Sequence, residues 1–85
     1  MEKNSPMLGD ASAGSQRLRI LAALRLGPKT TFDLIRECNA VRPGARIAEL
    51  RQRGYCIDTV PTEVVDDYGR RHGRVALYVL LREAQ

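Results

Sequence analysis

The chain has 85 residues, 44% of them hydrophobic, and 14 Lys and Arg against 10 Asp and Glu give a formal net charge of +4. That length supports one domain around one modest core and leaves no room for a deep catalytic cleft between two lobes. The basic balance favours a polyanionic partner, and without a run of about eighteen apolar residues or a hydrophobic leader, a cytoplasmic protein with no membrane partner is expected.

Residues 1–14 mix Ser, Gly, Pro, Asn and Ala without a period and read as a flexible tail, so the domain is expected over residues 15–82. Ser15 is the expected cap of a first helix running to about Leu26. Its apolar arc holds Leu18, Ile20, Leu21 and Leu24, and Gly27-Pro28 ends it. A second helix is capped by Thr30 or Thr31, carries Asp33 in its first turn, and offers Leu34, Ile35 and Cys38 as its apolar side. Asn39 supplies a turn. The short spacing from Cys38 to Pro43 predicts a sharp corner rather than an antiparallel pair.

Pro43 suits the first turn of a third helix, because its missing N–H has no intrahelical acceptor there, and Gly54 marks the other end. At about 100° per residue, Ile47 and Leu50 share one stripe while Arg42, Ala45, Glu49, Gln52 and Arg53 fall on the opposite arc. Base edges in a major groove are read by side chains projecting from a helix anchored behind in this way. An ordinary solvated helix gives the same division, so the preceding helix and corner decide for a helix-turn-helix.

Two segments rich in β-branched residues follow, Tyr55–Val65 and Arg74–Leu81. Pro61 suits a bulge or an edge position. The intervening loop, Asp66–Gly73, sets Arg70, Arg71 and His72 between two glycines, with Arg74 opening the next strand. The expected class is α+β: three helices followed by a two-stranded antiparallel hairpin, or wing. Arginine forks at such a tip match phosphate oxygens, although Asp66 and Asp67 cancel part of the field and a plain solvated turn has similar composition. In the last strand both faces are apolar, Val75, Leu77, Val79 and Leu81 against Ala76, Tyr78 and Leu80. The second face therefore needs cover from the first helix, the tail or another protomer.

Cys38 and Cys56 have no CxxC spacing, His72 is the one histidine, and no carboxylates cluster. No zinc site, cofactor, small-molecule substrate or active site is expected from this set. The cysteines read as small apolar residues.

The run GARIAELRQRGYCI, Gly44 to Ile57, together with ALYVL, Ala76 to Leu80, resembles the small winged helix-turn-helix domains found in bacteriophage and prophage genes. The resemblance spans Ser15 to Leu81, and its most specific piece is Ala45-Arg46-Ile47, then Leu50-Arg51, then Gly54-Tyr55 and Ile57. It implies a non-enzymatic protein that binds double-stranded DNA in transcriptional or phage-related control. On that reading Arg42, Ala45, Glu49 and Gln52 face base edges, and Arg46, Arg53, Arg70, Arg71 and Arg74 meet phosphates. Arg46 and Arg51 are also placed for packing or for ion pairs, with Glu37 and Glu49 as available partners. The rival expectation is a protein–protein or homodimer module that uses the apolar last strand.

Overall fold

The computed structural model describes residues 10–85. Ser12, not Ser15, opens the first helix, α1 (Ala13–Leu26). Its hydroxyl accepts from the Ser15 N–H at 3.2 Å, and its carbonyl accepts from the Gln16 N–H at 3.0 Å. Asp10 reinforces the start by accepting from the Ser12 N–H and the Ser15 hydroxyl at 2.9 and 2.7 Å. Both serines are competent caps; the earlier one wins because Asp10 satisfies further donors around it. The register also corrects the apolar arc, since Leu18 is 54% exposed while Gln16 and Arg19 join Ile20, Leu21 and Leu24 on the buried side.

A two-residue strand, β1 (Lys29–Thr30), follows and leads directly into α2 (Thr31–Cys38). Thr30 caps α2 in a full capping box: its hydroxyl accepts from the Asp33 N–H at 3.1 Å, and the Asp33 carboxylate accepts from the Thr30 N–H at 2.9 Å. Leu34 and Cys38 are buried, whereas Ile35, expected beside them, is exposed. Asn39 takes the left-handed conformation at φ 50° and ends the helix. After the corner comes α3 (Pro43–Gln52), then β2 (Cys56–Val65) and β3 (Arg71–Arg82).

The sheet has three antiparallel strands in the order β1-β3-β2, one more than the expected hairpin. Thr30 lies opposite Leu77 and Lys29 opposite Tyr78, so β3 is central only where β1 covers it. Pro61 sits on β2, an edge strand, where its missing N–H breaks no second ladder. A bulge separates the pairs Thr62–Val75 and Val64–His72, setting Gly73 and Arg74 against Glu63. Arg74 absorbs the irregularity at φ 58°.

All three helices contribute to one core: Ile20, Leu21 and Leu24 from α1, Leu34 and Cys38 from α2, Ala40 from the corner, and Ile47 and Leu50 from α3. Ile57 and Tyr78 close it from the sheet, flanked by Ala76 and Leu80. Alternation along β3 turns Val75, Leu77, Val79 and Leu81 to the other face. There Leu81 is 62% and Val60 40% exposed, so that face carries apolar surface to solvent.

Candidate nucleic-acid interface

The corner between α2 and α3 is fixed from behind by α1. Arg19, buried there, donates through Nε to the Cys38 carbonyl at 2.7 Å, satisfying an otherwise orphaned end of α2. The Cys38 thiol donates in return to the Arg19 carbonyl at 3.6 Å, and burial pushes its pKa up, which keeps it protonated. Both cysteines are free thiols.

Pro43, Ile47 and Leu50 anchor α3 in the core. Its far end closes at Gly54, whose φ of 101° suits glycine and lets the Tyr55 N–H reach the Leu50 carbonyl at 3.1 Å. The turned-out arc then holds Gly44, Ala48 and Gln52, all exposed, with Ala45 half-buried beside them. Arg42 and Arg53 stand at the two ends of the helix, exposed and without an ion pair among the described residues.

Glu49 and Arg46 lie differently from the outward placement expected. The Glu49 carboxylate accepts from Arg17 of α1 at 2.7 Å and from Arg46 at 2.8 Å, and Arg46 is the more buried partner. The hydrogen bond from Arg17, assisted by the positive charge of Arg46, holds the Glu49 carboxyl below the usual glutamate range. Arg51, though exposed, is also engaged within the chain, donating to the Ile57 carbonyl at 2.8 and 2.9 Å and to the Thr59 hydroxyl at 2.6 Å. Of the acidic partners anticipated for these arginines, Glu49 pairs with Arg46, whereas Glu37 takes Lys29 at 2.8 Å. Arg17 and Arg19 were not anticipated as site-supporting residues, because their partners lie 32 and 19 residues away and leave no local signal.

The hairpin loop is narrower than Asp66–Gly73: β3 begins at Arg71, so Arg71, His72 and Arg74 belong to the strand. Asp66 organises the turn. Its Oδ1 accepts from the Tyr68 and Arg70 N–H groups, both at 2.9 Å, and its Oδ2 accepts from Arg70 Nε at 3.0 Å and lies 2.9 Å from His72 Nε2. The His72 hydrogen bond, followed by that of the Arg70 backbone, lowers the Asp66 pKa to about 2. Being ionised, Asp66 can only accept, so Nε2 carries the shared proton. The His72 ring stands edge-on to Phe32 of α2 with centroids 5.3 Å apart, which ties the hairpin base to the helices. Gly69 at φ 78° makes the turn, and Arg70 lies over the exposed Tyr68 ring at 5.1 Å. Arg71 is 4.0 Å from Glu63, and Arg74 is exposed with no ion pair among the described residues.

Two helices meeting at a sharp corner, an outward third-helix arc tipped by arginines, and an arginine-bearing hairpin beside it define a helix-turn-helix domain with a wing. The model of the winged helix-turn-helix domain family matches residues 15–83, and the chain belongs to that family. DNA binding is the activity the domain suggests, and such domains are usually non-enzymatic. No curated protein and no solved structure matches the chain. Among the described residues no helix is long and apolar enough to cross a membrane, and no group of three or more His, Cys, Asp and Glu could hold a metal ion.

Proposed function

We propose that this protein is a sequence-reading, double-stranded DNA-binding regulator that lays α3 in the major groove and the hairpin loop on the adjacent backbone. The observation that carries the reading is the outer arc of α3: small side chains along it, Gln52 at its C-terminal end, unpaired arginines flanking the helix, and the bulky ionic groups tied down behind it. Arg42, Arg53, Arg70, Arg71 and Arg74 meet phosphates. Ala45 and Ala48 offer methyl groups to thymine, and Gln52 offers an amide fork to adenine. Arg17 sets Glu49, and with it Arg46, so that the pair borders the reading arc as a fixed acceptor and donor. The resemblance at Gly44–Ile57 favours control of a bacterial or phage gene in the cytoplasm, where the DNA is.

The test is anisotropy of a labelled random-sequence duplex at several salt concentrations. Five phosphate contacts predict a slope of log affinity against log salt of about −4.5. Replacing Arg70 and Arg71 with alanine is expected to weaken binding to every sequence and to bring that slope to about −2.7. An unchanged slope removes the hairpin from the interface, and no binding at low salt removes the reading altogether.

A second reading adds to the first. The exposed Leu81 and Val60 on the far face of the sheet suit contact with a second copy of the chain, which would present paired reading helices to a palindrome. Light scattering is expected to show mass rising with concentration, and L81K is expected to abolish the rise.

A further inference from the structure

We propose that Asp66 is a positioning residue for the wing's contact with DNA, so that removing this acid weakens binding although it makes the tip more positive. The inference rests on the DNA-binding reading above. It begins from the contrast between two neighbouring acids in the same loop. Asp67 is exposed and makes no hydrogen bond or ion pair among the described residues. Asp66 accepts from two backbone amides, from Arg70 and from His72, all within 3.0 Å.

Those contacts fix two things. The amide bonds to Tyr68 and Arg70, with the backbone bonds between Asp66 N–H and the Arg70 carbonyl at 2.9 Å and between Gly69 N–H and the Asp66 carbonyl at 3.0 Å, hold one turn conformation. The bond to His72, whose ring packs against Phe32, ties that turn to α2 and hence to the corner that orients α3. Arg71 and Arg74, both exposed, are thus carried at a set distance from the reading arc.

Electrostatics alone predicts the opposite sign, since a phosphate backbone repels any carboxylate and Arg70 would be released from its pair. Magnitudes decide the matter. Arg70 is 70% exposed in that pair, and exposed pairs are worth only about a two- to threefold change in an equilibrium. Fixing the backbone of a single residue costs roughly tenfold, and a wing without Asp66 must order several residues on binding. Ordering wins.

The experiment uses the full chain and a labelled random duplex over a salt series, with D66N, D67N and H72Q beside the parent. D67N is expected to bind about twofold tighter, the simple consequence of one fewer negative charge. D66N makes the same charge change and keeps an oxygen for the two amides, but turns a donor NH2 toward Arg70 Nε and His72 Nε2 and so loses the tie to the strand and to α2. It is expected to bind about fivefold weaker with a salt slope flatter by about one, because a phosphate contact is lost. Mere destabilisation would not give this pattern: a smaller folded fraction lowers apparent affinity but leaves the slope of the folded molecules unchanged. H72Q, which removes the imidazole that links Asp66 to Phe32, is expected to weaken binding about twofold. It also carries the test if thermal melting shows D66N unfolded, in which case parent-like H72Q binding overturns the proposal. D66N binding as tightly as D67N overturns it too while leaving the DNA reading intact. A parent that fails to bind duplex at low salt overturns both.

Discussion

At Asp66 a single carboxyl couples loop order to pH. Its pKa of about 2 lies below the ordinary value of 3.8, so the folded loop favours the ionised form. A depressed folded pKa means that the contribution is complete above pH 3.8 and is lost as pH falls from there toward 2. The wing should therefore keep this support at neutral pH and loosen only in strong acid. Carboxyl carbon shifts followed by NMR are expected to titrate near 2, with the Tyr68 and Arg70 amides moving together; a midpoint at 3.8 would mean that these bonds do not form in solution. Gly54 shows a different residue-scale constraint. A Cβ there would lie 3.5 Å from the Ala84 Cβ, which is ordinary contact, so the cost of G54A comes from φ at 101° and not from a clash. About 1 kcal/mol or somewhat more should be lost in urea unfolding.

The elements differ in how far the sequence discloses them. The ends of α2 and α3 were legible because caps and breakers act within four residues: Thr30 with Asp33, Asn39, Pro43 and Gly54 all do what their chemistry predicts, whereas α1 starts at Ser12 and not at the expected Ser15. The strand β1 was not, since two residues carry no alternation and exist as strand only because β3 runs alongside. Nor was the bulge, because Gly73 is the obvious residue for a left-handed backbone and Arg74 takes it instead. At the site, the polar arc of α3 was visible from its period, but the withdrawal of Glu49 and Arg46 depends on Arg17, a tertiary partner no local pattern points to. That withdrawal leaves Ala45 and Ala48 in the middle of the arc and Gln52 at its C-terminal end, and it has a consequence for sequence preference. Sites selected by this protein should hold A·T pairs beneath the middle of α3, and replacing their thymines with uracil should weaken binding about three- to tenfold per methyl contacted. Equal affinity for the uracil duplex would move the alanines out of the groove.

Across the whole molecule, the position of the helix start determines what folds as a unit. The family match begins at residue 15, which is also where the composition of the tail gives way to an apolar period. The hydrogen bonds begin earlier. Ser12 caps α1, the Gln16 side chain donates to the Ala11 carbonyl at 2.7 Å, and Gln16 is itself buried against the core. A chain trimmed to start at Ser15 would leave the first amides of α1 without acceptors and cut Gln16 from its backbone partner, both at the helix that holds the α2–α3 corner through Arg19. A chain trimmed to start at Asp10 keeps all of these bonds. The loss of an N-cap costs about 1 kcal/mol, and an unpaired buried amide adds a further 1 kcal/mol or more. The longer truncation should therefore melt roughly 8–16 °C below the shorter one, given how steeply a domain of this size responds to stability. Since α1 also supplies Arg17, the same truncation should loosen the hold on Glu49 and blur base preference more than it lowers affinity for random duplex. Equal melting of the two trimmed chains would show that the helix recaps at Ser15 at no cost, and would leave residues 10–14 without a part in the fold.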